Sequence, residues 1–226
     1  MTALPPLSPR HRRHARLRRV AAALALGLVL AAPVGGAAGA SEAGDLVFAE
    51  RGPWSLGDKV LSWAVTREGP ARPDLPPMGA GTLSLSQTVD ASDGKPVLQL
   101  TQKTNDRTRK IGPFPISGGD PALTFFLEQT ARDMARLTGG SPFYIRNRIK
   151  DSLFRAGDLT RDGDTVTARF RPFADDPNGA RMQGFQTLTL TFVIGGPKAP
   201  IREMTAETSD PVIGGTANYR QHMVLQ

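Results

Sequence analysis

Residues 120–154 read DPALTFFLEQTARDMARLTGGSPFYIRNRIKDSLF. Asp120 supplies an N-cap acceptor, and Pro121 follows at the first helical position, where its missing N–H costs nothing. Gly139 is typical of a helix end, and Pro142 marks a second helix start. Apolar residues recur at helical spacing in both halves: Leu123, Phe126, Leu127, Met134 and Leu137, then Ile145, Ile149 and Leu153. The stretch therefore predicts two consecutive amphipathic helices, the second ending near residue 154.

The sequence on both sides of this helical pair has the pattern of β-strands. Apolar and polar residues alternate in seven stretches: 60–66, 82–89, 97–104, 165–171, 186–194, 200–208 and 217–225. Asp93-Gly94 and Asp162-Gly163 supply the positive-φ residue that tight antiparallel hairpins need. We therefore expect an α+β fold, in which a curved antiparallel sheet of about seven strands holds the two helices in its concavity.

This element order is similar to that of the periplasmic half-barrel proteins that carry lipoproteins. In those proteins a curved antiparallel sheet closes over helices and leaves an apolar cavity. The resemblance is one of architecture, and it implies a half-barrel-like fold with such a cavity between sheet and helices.

Two segments are expected to be loops. Residues 67–81 contain four prolines, which cannot maintain a hydrogen-bonded ladder. Arg107, Arg109 and Lys110 precede a segment rich in proline and glycine, residues 111–119, and are interpreted as a solvated basic loop.

Residues 1–40 have the order of a signal peptide: a basic start, an apolar run over residues 20–32 and a small-residue end at Ala38-Gly39-Ala40. The apolar run is short for a helix that must cross about 30 Å of hydrocarbon. We expect cleavage after Ala40 and no transmembrane segment afterwards, with an uncleaved anchor as the alternative. Export by the Sec or the Tat route stays open. Residues 41–226 would then form a single periplasmic α+β domain.

The net charge of +7 belongs to this leader. Six arginines lie within the first nineteen residues, and without them the chain has 22 basic residues against 21 acidic ones. A nearly neutral domain lacks the basic surface that binds nucleic acid, so no nucleic-acid partner is expected.

The sequence excludes several chemistries. The chain has no cysteine, which excludes thiolate nucleophiles, disulfides and zinc ribbons. His11 and His14 leave with the leader, so His222 alone remains for a Ser-His-Asp catalyst or a histidine-based metal site, which needs more ligands. We interpret His222 as an exposed or edge-strand residue, and we expect no metal and no other cofactor.

Carboxylate chemistry is the remaining catalytic possibility. Asp175 and Asp176 lie together in the loop 172–184, although adjacent aspartates in such a loop are more often turn formers. Three other aspartates lack the alternating oxygen ligands and the terminal glutamate of an EF-hand: Asp158, Asp162 and Asp164.

The second helix contains the candidate binding residues. On helical spacing, Arg146 and Lys150 lie on one edge of its apolar stripe, while Arg148 lies on the other edge with Tyr144 one turn before it. These cations could hold an anionic head group whose acyl chain meets the stripe, or dock the helix on an acidic protein or membrane surface. Alternatively, the stripe faces the core and the basic side chains reach out to water.

These observations together predict an exported, periplasmic, non-catalytic binding or carrier module for an amphiphilic ligand or an envelope partner. The partner would be a lipid-like molecule or an envelope protein. Two alternatives stay open: a hydrolase that depends on carboxylates, and a structural protein of the envelope that binds through an exposed apolar patch. The sequence does not fix the oligomeric state.

Overall fold

A computed structural model describes residues 42–72, 78–105, 107–155, 157–196 and 198–226. All of them belong to one unit, Ala37–Gln226. The predicted signal peptide, residues 1–40, lies outside the described residues. No helix in the described segments is long and apolar enough to cross a membrane.

Three helices lie in the described part of the chain: α1 (Glu42–Val47), α2 (Pro121–Thr138) and α3 (Pro142–Arg155). The two predicted helices are confirmed with their end signals. Asp120 caps α2 by accepting hydrogen bonds from the N–H groups of Ala122 and Leu123, and Gly139 follows the helix at φ 70°. The sequence did not predict α1, which is only six residues long.

The described strands form one antiparallel sheet. They are β1 (Val60–Glu68), β2 (Ala80–Val89), β3 (Pro96–Thr104), β4 (Thr108–Pro115), β5 (Asp158–Asp162), β6 (Thr165–Phe170), β7 (Thr189–Ile194), β8 (Ile201–Glu207) and β9 (Arg220–Leu225). Their order is β4-β3-β2-β1-β9-β8-β7-β6-β5. The edge strands β4 and β5 do not pair with each other, so the sheet is not closed into a barrel. The α+β fold with an antiparallel sheet is confirmed.

The count of about seven strands is low by two, and the missing strands are the two edges. In β4 only Ile111 and Phe114 are partly buried, and in β5 only Leu159 is. An edge strand with so few buried side chains does not show the alternation that identifies inner strands. The loop interpretation of Arg109 and Lys110 is therefore wrong, since both lie on β4.

β4 tolerates proline because it lies at the edge. The pairing of β3 with β4 shifts register between Leu98, opposite Phe114, and Leu100, opposite Ile111. Pro113 lies within this irregularity, where a missing N–H removes no bond to a further strand. The strand predicted at residues 186–194 begins later, because Phe185–Thr187 form a 3-10 turn.

The core lies between the helices and one face of the sheet. Buried apolar side chains come from both layers: Trp63, Leu83, Leu85, Leu98, Leu100 and Phe192 from strands, and Phe126, Met134, Ile149 and Leu153 from helices. The rings of Phe126 and Phe192 meet edge to face, with centroids 5.9 Å apart. The apolar stripe predicted for α2 thus packs on the sheet, and the stripe predicted for α3 is buried as well.

Candidate functional site

Tyr144 and Arg148 bind a buried carboxylate, Asp176, in the loop after β6. The Tyr144 hydroxyl donates to this carboxylate at 2.8 Å, and Arg148 Nε donates to Oδ2 at 2.5 Å. The backbone N–H of Asn178 donates to Oδ1, and the Asn178 amide donates to the Tyr144 oxygen. Burial acts to raise the pKa of Asp176, but these hydrogen bonds outweigh it and lower the pKa. The cluster fastens α3 to the loop.

Arg146 faces the opposite direction, toward α2. Its guanidinium donates to Glu128 from Nε at 2.6 Å and from Nη2 at 2.8 Å, and Arg132 Nε donates to the same carboxylate at 2.8 Å. The hydrogen bond from Arg146 is the main reason that the pKa of Glu128 is lowered. Lys150, one turn after Arg146, makes no ion pair or hydrogen bond within the described residues. One carboxylate therefore binds two arginines, while Lys150 has no such partner within the described residues.

A groove between α2 and α3 lies beside these cations and opens to solvent. Its volume is about 460 Å³. Its apolar floor consists of Phe48, Leu127, Ile149 and Phe154, and its polar rim consists of Thr124, Glu128, Arg146 and Lys150. The rings of Phe48 and Phe154 stack with centroids 4.9 Å apart. We call this site the α2–α3 groove; it combines an apolar floor with an excess of positive charge at its rim.

A second cavity, of about 330 Å³, lies at the end of α2 beside β1. Asp133 is buried at its wall, and Arg67 Nη1 donates to both Asp133 oxygens at 3.1 Å. Gln129 and Tyr219 donate to the same carboxylate. Burial raises the pKa of Asp133, although Arg67 opposes the shift. Because the carboxylate is fully engaged, we interpret this cluster as a link between α2 and the sheet.

A third buried carboxylate, the N-cap Asp120, lies near Arg51. Their Oδ2 and Nε atoms are 3.9 Å apart, and burial raises the pKa of Asp120. Arg51 donates to carbonyl oxygens of the α1 segment and to that of Ala199. The buried carboxylates Asp120, Asp133 and Asp176 thus each face an arginine that joins distant parts of the chain.

His222 and Asp175, the other residues that the sequence analysis considered, do not form a site within the described residues. His222 lies on β9 near the middle of the sheet, so the edge-strand interpretation is wrong; its Nε2 is 2.8 Å from Glu203 Oε1 on β8. Asp175 is exposed, whereas its neighbour Asp176 is buried. No group of three or more His, Asp or Glu side chains in the described segments could hold a metal ion.

The structure divides the four predicted binding residues into two pairs. Arg146 and Lys150 lie at the rim of the α2–α3 groove, and Tyr144 and Arg148 lie in the Asp176 cluster. Sequence reasoning missed Phe48, because the segment after α1 shows no periodicity. No protein-family model and no curated protein matches the chain.

Proposed function

We propose that this protein is an exported, periplasmic, non-catalytic binding module that holds a single-chain anionic amphiphile in the α2–α3 groove. The apolar chain would lie against Phe48, Leu127 and Phe154, and the anionic head would meet Lys150 and Arg146. The observation that carries this proposal is the groove itself, in which an apolar floor is bordered by more positive charge than Glu128 balances.

The dimensions of the groove support a small ligand. Its volume of about 460 Å³ lies within the range of about 300–1,000 Å³ that is usual for small-molecule sites. Each methylene that leaves water contributes about 0.8 kcal/mol, so a short acyl chain supplies the main driving force. A charge-assisted hydrogen bond from Lys150, which has no partner among the described residues, would add selectivity for an anionic head.

The signal-peptide pattern of residues 1–40 supports export, and the architecture supports the interpretation as a carrier. We propose a half-barrel-like plan, and the open nine-stranded sheet in the described residues, with helices against one face, supports it. The proposed ligand position differs from the sequence expectation. The groove lies between the two helices, whereas α2 and the middle of the sheet are in direct contact where the rings of Phe126 and Phe192 meet.

The carboxylate-hydrolase alternative receives no comparable support. Catalysis by paired carboxylates needs two acidic groups that flank a substrate. Here Asp176 is held by Tyr144 and Arg148 and Asp133 by Arg67. We propose a structural role for both carboxylates and no catalytic step.

Calorimetric titration of the exported protein tests the proposal. Amphiphiles with one acyl chain and an anionic, zwitterionic or cationic head should differ in affinity, with the anionic head binding most tightly. Lys150→Glu should weaken the anionic amphiphile about ten-fold, which is about 1.4 kcal/mol. The matched control is Lys103→Glu, because Lys103 is an exposed lysine on β3 and does not line the groove. Equal affinity for all three heads would contradict the proposal.

A further inference from the structure

The exposed side of α3 has an unusual composition. Phe143 and Phe154, at its two ends, are 70% and 46% exposed. Arg146 and Lys150 lie between them at intervals of three to four residues, which places all four side chains on one helical face. The buried stripe Ile145, Ile149 and Leu153 is a separate face. The helix therefore presents two exposed aromatic rings and two cations to solvent.

The charge of this face is positive after its ion pairs are considered. Arg148 is neutralised by Asp176, and Arg155 lies 3.6 Å from Asp151. Arg146 shares Glu128 with Arg132, and Lys150 has no acidic partner in the described part of the chain. The face therefore complements a negatively charged surface.

The spacing of the two phenylalanines favours a lipid surface over a protein. They are eleven residues apart, which is about 16 Å along a helix, and the cations lie between them. A protein interface is built around a continuous, desolvated apolar centre, which this face lacks. A lipid surface needs no such centre, because separate aromatic rings insert at headgroup level while lysine and arginine reach the phosphates.

We infer that this face of α3, comprising Phe143, Arg146, Lys150 and Phe154, docks on an anionic lipid bilayer. The inference rests on the proposed function in one respect: Arg146, Lys150 and Phe154 also line the α2–α3 groove. Docking would bring the mouth of the groove against the surface in which anionic amphiphiles reside. The bilayer would thus be the place where the ligand enters or leaves.

Vesicle partitioning tests this inference. The protein is used as it is purified from the producing cells, after any processing of its N-terminus. The probes are vesicles of phosphatidylcholine and vesicles of equimolar phosphatidylglycerol and phosphatidylcholine, separated from free protein by sedimentation. The protein should partition more strongly into the anionic vesicles, and added salt should weaken this partitioning. Lys150→Glu should lower it at least five-fold, since one cation near an anionic surface contributes about that factor.

Substitutions of exposed apolar residues locate the docking face. Phe143→Ser and Phe154→Ser should each lower partitioning into the anionic vesicles about five-fold or more. The control is Val89→Ser, because Val89 is 65% exposed at the end of β2 and does not line the α2–α3 groove. Equal partitioning into both kinds of vesicle would overturn the inference. The same holds if Val89→Ser lowers partitioning into the anionic vesicles as much as Phe143→Ser and Phe154→Ser do.

Two variants separate this inference from the proposed function. Phe143 does not line the groove, so Phe143→Ser should bind the soluble anionic amphiphile with unchanged affinity. Leu127 lines the groove and lies on α2, so Leu127→Asn should lose amphiphile affinity and keep its partitioning into vesicles. If the amphiphile does not bind while Phe143-dependent partitioning persists, the proposed function fails and docking stands. If the amphiphile binds and partitioning is absent, docking fails alone.

Discussion

Arg148 on α3 lies with its Nε 2.5 Å from Oδ2 of Asp176, a carboxylate whose side chain has no exposed surface. Arg146, only two residues earlier, points to the solvent side of the helix pair and meets Glu128. The two arginines therefore have different roles, although the sequence placed both at a candidate binding site. Arg148 stabilises the fold, and Arg146 borders the groove.

The first prediction concerns Arg148. Arg148→Ala removes the charge that compensates Asp176, and the buried carboxylate keeps only neutral hydrogen-bond donors. We expect the free energy of unfolding, measured by urea denaturation, to fall by about 2 kcal/mol. In Arg155→Ala, which breaks an exposed pair with Asp151, the change should stay within about 0.5 kcal/mol. Equal effects of the two substitutions would show that Asp176 does not need Arg148.

The second prediction concerns pH and Asp176. Its pKa is lowered in the folded state, so ionisation favours folding above the unfolded value of about 3.9. This contribution is present at neutral pH and is lost as the pH falls through the folded-state pKa. The stability difference between the parent protein and Asp176→Asn should therefore be largest at about pH 7 and shrink below about pH 4. A difference that grows on acidification would contradict the described contacts.

The third prediction concerns Asp133, whose contribution to stability depends on pH in the opposite direction to that of Asp176, because burial raises the pKa of Asp133. A raised pKa means that the folded state retains a proton more readily, so the contribution to stability is present below the unfolded pKa and is lost as the pH rises. Arg67→Met removes the cation that opposes this shift and leaves Asp133 with only Gln129 and Tyr219. The variant should be destabilised more at about pH 7 than at about pH 4.

The measurement for Arg67→Met is urea denaturation at both pH values. Arg169→Met is the control, since Arg169 is an exposed arginine on β6 without an ion pair in the described residues. The control should show no such pH dependence. An Arg67→Met penalty that is the same at both pH values would mean that Asp133 does not titrate in that range.

The sequence predicted those elements whose signals are local. The cap at Asp120 and the end at Gly139 gave the bounds of α2, and alternation located the inner strands that bury one full face. Strands β4 and β5 were not predicted, because an edge strand pairs with only one neighbour and buries few side chains. Helix α1 was not predicted, because its six residues make less than two helical turns and show no recognisable periodicity.

The candidate site was predictable only in the part that lies on one helix. Helical spacing placed Arg146 and Lys150 together on one edge of the stripe, and both border the groove. The partner of Arg148 is 28 residues away in an irregular loop, and no local pattern identifies it. Phe48 reaches the groove from the segment after α1, so only tertiary packing reveals it.

Native mass spectrometry of the protein purified gently from the cells that produce it tests the central claim most directly. We predict a stoichiometric adduct that denaturation releases and that proves to be a single-chain anionic amphiphile. Leu127→Asn should lack this adduct, and Lys103→Glu should retain it. Protein that is free of any adduct, and that fails to bind added anionic amphiphile in the same measurement, would contradict the proposal that the α2–α3 groove is a binding site.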